Sequence, residues 1–335
     1  MNKILVTGGL GYIGSHTVVE LLEQGKEVIA IDNLNNSDIR VLSRIEQICG
    51  RKPIFIEGDI LDKDLLRKVF DEHKPEGIIH FAAYKAVGES TEKPVMYYEN
   101  NLSGLINLIG VAEEFEVYNF VFSSSCTVYG DTSNSPIGED EPLQLAISPY
   151  GTTKLLGEKI LQDLVNFKPF KVVNLRYFNP VGAHPSALIG ELPLGVPSNL
   201  VPYITQTAAG IREQLVIFGN DYNTPDGTNI RDFIHVVDLA KAHIKALDYA
   251  ANNDFKLEYF NLGAGKGHSV LEVVKCFERV NDVKLNYRFG ERRAGDVVQI
   301  WADASKADRV LDWRTELSLE TMMESAWKWQ QQLGD

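Results

Sequence analysis

Short runs of apolar and β-branched residues recur along the first half of the chain, at 3–7, 27–31, 53–59, 77–83, 119–123 and 171–176. Between them the apolar positions switch to a 3.6-residue period, most clearly over 62–73, 95–115 and 149–167, which predicts helices. Strand and helix in alternation predict an α/β fold built on a doubly wound parallel sheet. Ligands of such sheets bind beyond the carboxyl ends of the strands, where Asp32, Asp59, Phe81, Ser125 and Tyr177 fall. After residue 177 the texture changes. Five prolines between 179 and 203, with several glycines, predict a largely irregular segment lying over the ligand. The stretches 233–251 and 257–262 again read as helix and strand.

The first strand runs directly into Gly8-Gly9-Leu10-Gly11-Tyr12-Ile13-Gly14 and a helical pattern through Leu22. A strand, glycine turn and helix in this order form a Rossmann-type dinucleotide-binding unit. Gly8 would allow the tight turn, Gly11 would let a pyrophosphate approach the backbone, and Gly14 would let helix and strand pack closely. The second strand delivers Asp32, 21 residues after Gly11. A carboxylate there accepts hydrogen bonds from ribose hydroxyls and repels a ribose phosphate, so the cofactor should be NAD rather than NADP. The predicted organisation is discontinuous: 1–177 plus roughly 231–262 form the NAD-binding domain, and 178–230 plus 263–335 a smaller C-terminal α/β substrate domain.

Candidate chemistry lies at the end of the fifth strand and the start of the helix after it. Ser123-Ser124-Ser125 closes the strand, and Tyr150-Gly-Thr-Thr-Lys154 sets a phenol and an amine one turn apart on one helix face. Ser148 and Pro149 read as N-cap and first helical residue, placing Tyr150 at the positive end of the helix dipole. Both neighbours favour phenolate. A phenol of pKa about 10 becomes a base at neutral pH only if its anion gains about 4 kcal/mol, a shift of roughly three units.

The composition narrows the function. A chain of 335 residues with 44% apolar content suits a globular protein, and no apolar stretch approaches the roughly 20 residues that span a bilayer. The first strand begins at residue 3, which leaves no room for a signal peptide. Cys49, Cys126 and Cys276 are isolated, which fits a reducing cytoplasm and neither a disulfide framework nor a zinc site. The seven histidines show no metal-ligand pairing either, so no metal is expected. A formal charge of -13 argues against nucleic-acid or membrane surfaces. An anionic substrate would then need local arginines.

Several longer segments carry a resemblance. They are His80-Phe81-Ala82-Ala83-Tyr84-Lys85-Ala86-Val87-Gly88-Glu89-Ser90, Ser123-Ser124-Ser125-Cys126-Thr127-Val128-Tyr129-Gly130, Arg176-Tyr177-Phe178-Asn179-Pro180-Val181-Gly182-Ala183-His184-Pro185, Arg231-Asp232-Phe233-Ile234-His235 and Trp301-Ala302-Asp303-Ala304-Ser305-Lys306-Ala307. With the glycine loop and Asp32, they resemble the extended short-chain dehydrogenase/reductase family of nucleotide-sugar enzymes, and within it the 4-epimerases. The resemblance covers residue 3 to about 313. Three positions depart from the family pattern: Ala83 and Tyr84 stand where glycine and leucine are expected, and Ala187 where glycine is common.

That resemblance implies an isomerase that interconverts UDP-glucose and UDP-galactose through a transient 4-keto sugar, with NAD regenerated in each cycle. It implies Tyr150 as acid/base, Ser125 as relay to the 4-oxygen, and Lys154 on the phenol and the nicotinamide ribose. Gly8, Gly11, Tyr12, Ile13, Gly14, Asp32, Asn33, Asp59, Ile60, Phe81, Ala82, Lys85, Asn100, Ser123 and Tyr177 would complete the cofactor site. For the substrate it implies Lys85, Phe178, Asn179, Asn199, Leu200, Val216, Phe218, Arg231, Arg293, Asp296 and Ile300. Arg292 beside Arg293 stays open as the alternative phosphate ligand. The resemblance also implies a homodimer packed through 95–115 and 149–167, and leaves UDP-N-acetylhexosamines as further candidate substrates. Two other readings remain: a dehydratase or decarboxylase on the same scaffold, and a non-catalytic NAD-sensing protein. The first is weakened by Cys126-Thr127-Val128, where a dehydratase carries an Asp-Glu pair.

Overall fold

A computed structural model describes residues 1–132, 134–144, 146–293 and 296–333. The first strands are β1 (Lys3–Thr7), β2 (Glu27–Asp32), β3 (Ile54–Glu57), β4 (Gly77–His80), β5 (Asn119–Ser123) and β6 (Lys171–Tyr177). Beyond them come β7 (Asn179–Val181), β8 (Leu215–Phe218), β9 (Ile230–His235), β10 (Leu257–Leu262), β11 (Gly267–Ser269), β12 (Tyr287–Gly290) and β13 (Gln299–Ile300). A seven-stranded parallel sheet is ordered β3-β2-β1-β4-β5-β6-β10. The chain reverses direction across the sheet between β1 and β4, which opens a crevice at their carboxyl ends.

The inner strands of this sheet are buried on both faces, so β1, β2, β4 and β5 are mostly apolar rather than alternating. Ile4, Val6, Val28, Ala30, Val121 and Val173 face one core with Val18, Leu21 and Leu239 from the helices Tyr12–Glu23 and Val236–Asn252. Leu5, Ile29, Ile78, Phe120 and Val172 face the other with Leu66, Leu108 and Leu161. Each such side chain contributes about 1.5–3 kcal/mol relative to exposure.

The second unit holds a four-stranded sheet, in which β9 pairs with β7, β11 and β13, and the parallel pair β8–β12. Within 231–262, therefore, β10 and the helix Val236–Asn252 pack with the large sheet, whereas β9 is hydrogen-bonded into the smaller one. The helix expected over 233–251 begins at Val236, because Phe233, Ile234 and His235 are taken up by pairing in β9. His235 then caps the helix by accepting from Val237 N at 3.1 Å.

The helix expected over 95–115 is interrupted. Pro94–Tyr98 and Gly104–Glu114 flank one wide π turn at Glu99–Ser103. That turn buries Asn100 and Asn101, and the Asn101 amide bonds both Tyr84 and Thr153. Such turns frequently mark functional positions.

Candidate active site

A cavity of about 750 Å³ occupies the crevice beyond β1, β2 and β4. Its walls include Gly8, Gly11, Tyr12, Ile13, Gly14, Asp32, Asn33, Asp59, Ile60, Phe81, Ala82, Lys85, Asn100, Tyr150, Lys154, Tyr177 and Asn199.

The glycine loop is held by sterics. Gly8 has φ +68°, donates to Ile31 O at 2.8 Å, and lies so close to the β4 exit that a Cβ would stand 2.9 Å from Ala82 N. A Cβ at Gly14 would stand 2.0 Å from Gly8 O. The helix Tyr12–Glu23 that follows has Gly11 as N-cap, no side-chain cap and no acidic residue in its first turn. Its first N–H groups and dipole therefore remain available to an anion in the cavity. Asp32 completes the rim. Its carboxylate is oriented by Leu10 N at 3.0 Å, Leu34 N at 3.0 Å and the Ser37 hydroxyl at 2.7 Å. An uncapped helix start beside a fixed carboxylate fits the pyrophosphate and the unphosphorylated adenosine ribose of NAD.

Tyr150 and Lys154 enter the same cavity from the helix Pro149–Phe167. Ser148 caps that helix, its hydroxyl accepting from Gly151 N at 3.2 Å, and Pro149 is the first helical residue. Lys154 Nζ donates to Ser123 O at 2.6 Å and lies 5.9 Å from the centre of the Tyr150 ring. The Tyr150 phenol is raised above its ordinary range, because burial dominates and Tyr177 adds to it, while the neighbouring Ser125 hydroxyl pulls it back. In this structure the Lys154 ammonium is turned onto the Ser123 carbonyl rather than onto the phenol oxygen. Burial in turn lowers Lys154 to about 8, against the opposing pull of Glu158.

Ser125 lies two residues beyond β5, where its hydroxyl caps the turn Cys126–Tyr129 by accepting from Thr127 N at 3.2 Å, and it is not among the residues lining the cavity. Ser123, expected at the cofactor, is fully buried behind the wall, with its hydroxyl 2.8 Å from the Tyr177 hydroxyl. It reaches the cavity through Tyr177 and through the carbonyl that receives Lys154.

The expected substrate residues fall into separate groups. Lys85 and Asn199 lie on the cavity and are joined by Glu191 Oε1, at 2.8 and 2.7 Å. Leu200 begins the helix Leu200–Ala208, whose N-cap Asn199 makes no side-chain capping bond. Asn179 opens β7 opposite Phe233 and is exposed. A further group forms above β8. Asp296 receives Arg293 at 2.7 Å and Arg231 at 3.7 Å, and the Arg293 guanidinium sits 5.9 Å from the Phe218 ring. Val216 is partly buried on the same strand, while Phe218 is exposed. Arg292 turns the other way, to Asp221 at 2.7 Å and the Tyr222 ring at 4.3 Å. Ile300 is buried against Phe178, Val128, Tyr129 and Ile137. Among the described residues, none of Phe178, Asn179, Leu200, Val216, Phe218, Arg231, Arg293, Asp296 and Ile300 lines the cavity itself.

Some cavity residues carry no motif in sequence. Glu191 sits in the proline-rich segment, and Trp329 comes from the last helix to hold Glu191 O at 2.8 Å. Ser37, which holds Asp32 at 2.7 Å, was not singled out from the sequence.

Comparison with known proteins places this geometry. The family model described as GDP-mannose 4,6 dehydratase matches residues 5–326. The UDP-glucose 4-epimerase of Haemophilus influenzae is 53% identical over 328 residues, spanning 98% of this chain and 97% of that protein. The chain belongs to the UDP-glucose 4-epimerase family. It is thus an isomerase of the extended short-chain dehydrogenase/reductase fold rather than a dehydratase, in keeping with the absence of carboxylates at Cys126-Thr127-Val128. Among solved 4-epimerases it resembles that of Stenotrophomonas maltophila with bound NAD and formylated UDP-arabinopyranose, with TM-score 0.97, 46% identity, and 100% and 99% of the two chains covered. It also resembles the Bifidobacterium longum enzyme in complex with NAD+ and UDP, with TM-score 0.95, 45% identity, and 99% and 98% covered. No helix among the described residues of this epimerase is long and apolar enough to cross a membrane.

Proposed function

We propose that the protein interconverts UDP-glucose and UDP-galactose by NAD-dependent epimerisation at carbon 4, through a transient 4-keto sugar. The observation that carries this is the meeting of Tyr150 and Lys154 with the glycine loop and Asp32 on the walls of one cavity. NAD, when bound, supplies the hydride acceptor at carbon 4 and the donor for its return to the opposite face. The residues of the chain do the rest. Gly8, Gly11, Tyr12, Ile13 and Gly14 hold the pyrophosphate at the helix start, Asp32 and Asn33 hold the adenosine ribose, and Asp59 and Ile60 face the adenine. Phe81, Ala82, Lys85, Asn100 and Tyr177 line the channel toward the nicotinamide, with Ser123 behind Tyr177.

Tyr150 takes the proton of the sugar 4-hydroxyl and gives it back, and Ser125 relays between that oxygen and the phenol. Because burial works against the phenolate, the Lys154 charge has to be close at the moment of transfer. Asn179, Asn199, Leu200, Lys85, Arg231 and Arg293 hold the diphosphate, which a chain of charge -13 requires. Val216 and Phe218 flank the uracil, Asp296 the uridine ribose, and Phe178 and Ile300 the sugar. Val95, Ile106 and Leu156 expose apolar surface on Pro94–Tyr98, Gly104–Glu114 and Pro149–Phe167. Those helices are the proposed homodimer face of a cytoplasmic enzyme.

The test is to denature the purified protein, identify any released dinucleotide, and assay UDP-glucose and UDP-galactose without added NAD. Bound NAD and interconversion are expected. Absence of both, with no activity after NAD is restored, would reject the reading.

Ile300 sets a narrower expectation. An isoleucine is smaller than the tyrosine of members restricted to glucose and galactose, yet larger than the serine or cysteine of permissive ones. UDP-N-acetylglucosamine should react detectably but about 10- to 200-fold less efficiently, the worth of one or two clashing methyl groups. Ile300→Ser should narrow the gap and Ile300→Tyr widen it. Equal kcat/KM ratios for acetylated and plain sugars in all three proteins would remove Ile300 from the pocket.

A further inference from the structure

Behind the catalytic wall lies a charged network whose members do not line the cavity. Glu158 and Arg176 are both almost fully buried and form a two-pronged pair: Arg176 Nε donates to Oε1 at 2.9 Å and Nη2 to Oε2 at 2.7 Å. The same Oε1 accepts from the Ser124 hydroxyl at 2.6 Å. Arg176 Nη1 donates to the Tyr129 hydroxyl at 3.0 Å, which donates on to Asn261 Oδ1 at 2.7 Å. The Tyr259 ring covers the guanidinium at 4.4 Å.

A buried ion pair of this kind often contributes little to stability compared with apolar residues of the same volume, because desolvation offsets the attraction. Its placement suggests another use. Glu158 is four residues after Lys154, as Lys154 is four after Tyr150, so the three share one helix face. Ser124, which Glu158 grips, lies between Ser123, whose carbonyl receives Lys154, and Ser125, the relay hydroxyl.

We propose that Glu158 is a positioning residue for the Tyr150–Lys154 pair: held by Arg176, it fixes the serine run at Ser124 and stands as the counter-charge that keeps Lys154 an ammonium. This rests on the function proposed above. The surroundings of Lys154 leave that role to Glu158. On β4, His80 is pressed down to about 3 by burial, and on Val236–Asn252, His243 is pressed down to about 4, so both are neutral. On β6, burial pushes the Tyr177 phenol up to about 12, and the Phe122 ring of β5 lies 5.0 Å from the ammonium. Burial alone drives Lys154 toward the free amine, and the Glu158 carboxylate opposes it. A neutral Lys154 could not support the phenolate, so loss of the Glu158 charge should end activity at a lower pH.

The experiment measures kcat against pH for the holoenzyme and for Glu158→Gln, Glu158→Asp and Ser124→Ala. The alkaline limb of Glu158→Gln should fall by about one pH unit, as expected for removal of one nearby opposite charge. Glu158→Asp keeps the charge and should return the limb toward the wild-type position. Ser124→Ala should lower kcat and leave the limb in place. A folded Glu158→Gln that loses activity equally at every pH, or a Ser124→Ala limb that moves as far, would overturn the proposal. If neither Glu158 variant folds, the 15N shift of Lys154 Nζ in the wild-type protein decides. An ammonium at the pH of maximal kcat supports the role, and a free amine there overturns it. A wild-type protein without epimerase activity would instead reject the proposed function, while the Lys154 titration would still be readable.

Discussion

Tyr150→Phe is expected to keep the fold and the bound dinucleotide and to lose about 100- to 10,000-fold in kcat, the usual worth of a positioned acid/base. The ring of Tyr150 is buried, so phenylalanine fills the same volume and packs against the same neighbours. Only the hydroxyl goes. Its loss removes no structural hydrogen bond from the glycine loop or from Asp32, whose partners are Leu10, Leu34 and Ser37. A small change in KM with a large fall in kcat would mark an oxygen used in the proton transfer rather than in binding. Turnover near wild type would remove Tyr150 from the acid/base role and leave Ser125 as the next candidate.

Gly14→Ala is the second substitution with a large expected effect, and it acts through backbone. The added Cβ would stand 2.0 Å from Gly8 O and 3.0 Å from Gly8 C, neither of which is a flexible side-chain end. The helix Tyr12–Glu23 must therefore move off the loop, or the loop must open. The cost should reach about 1–3 kcal/mol, typical of overpacking. The larger loss is expected in function, since the first-turn N–H groups would no longer point where Gly8 and Gly11 leave room. NAD should fail to co-purify and Tm should fall by several degrees. Retention of stoichiometric NAD with unchanged Tm would show that the loop tolerates the methyl group. Gly25→Ala is the control, because a Cβ there meets nothing within 4 Å, although its φ of +81° carries some strain.

Much of the large sheet was legible in the chain because strands buried on both faces are mostly apolar runs. Residues 3–7 and 119–123 coincide with β1 and β5, and 149–167 with the helix Pro149–Phe167. The cap at Ser148-Pro149 was also local, since a hydroxyl three residues before an orphan N–H needs no distant partner. The glycine spacing and Asp32 were readable for the same reason: a tight turn and a strand end are decided by residues adjacent in sequence.

What the sequence could not determine depends on groups brought together from far apart. The break at Glu99–Ser103 exists because the Asn101 amide reaches Tyr84 and Thr153, so tertiary hydrogen bonds outweigh the helical pattern there. His235 ends a strand and caps a helix because β9 pairs with β7, 54 residues earlier in register at Val181. The separation of Arg293 from Arg292 came from Asp296 and Asp221, which two adjacent arginines cannot reveal. The sequence by itself determined which residue types meet the chemistry, the phenol, the amine and the serine run. Only the tertiary structure decided their electrostatic surroundings. Burial raises Tyr150 and lowers Lys154, and the Glu158–Arg176 pair enters behind them, because desolvation and charge act through space and leave no period in the chain.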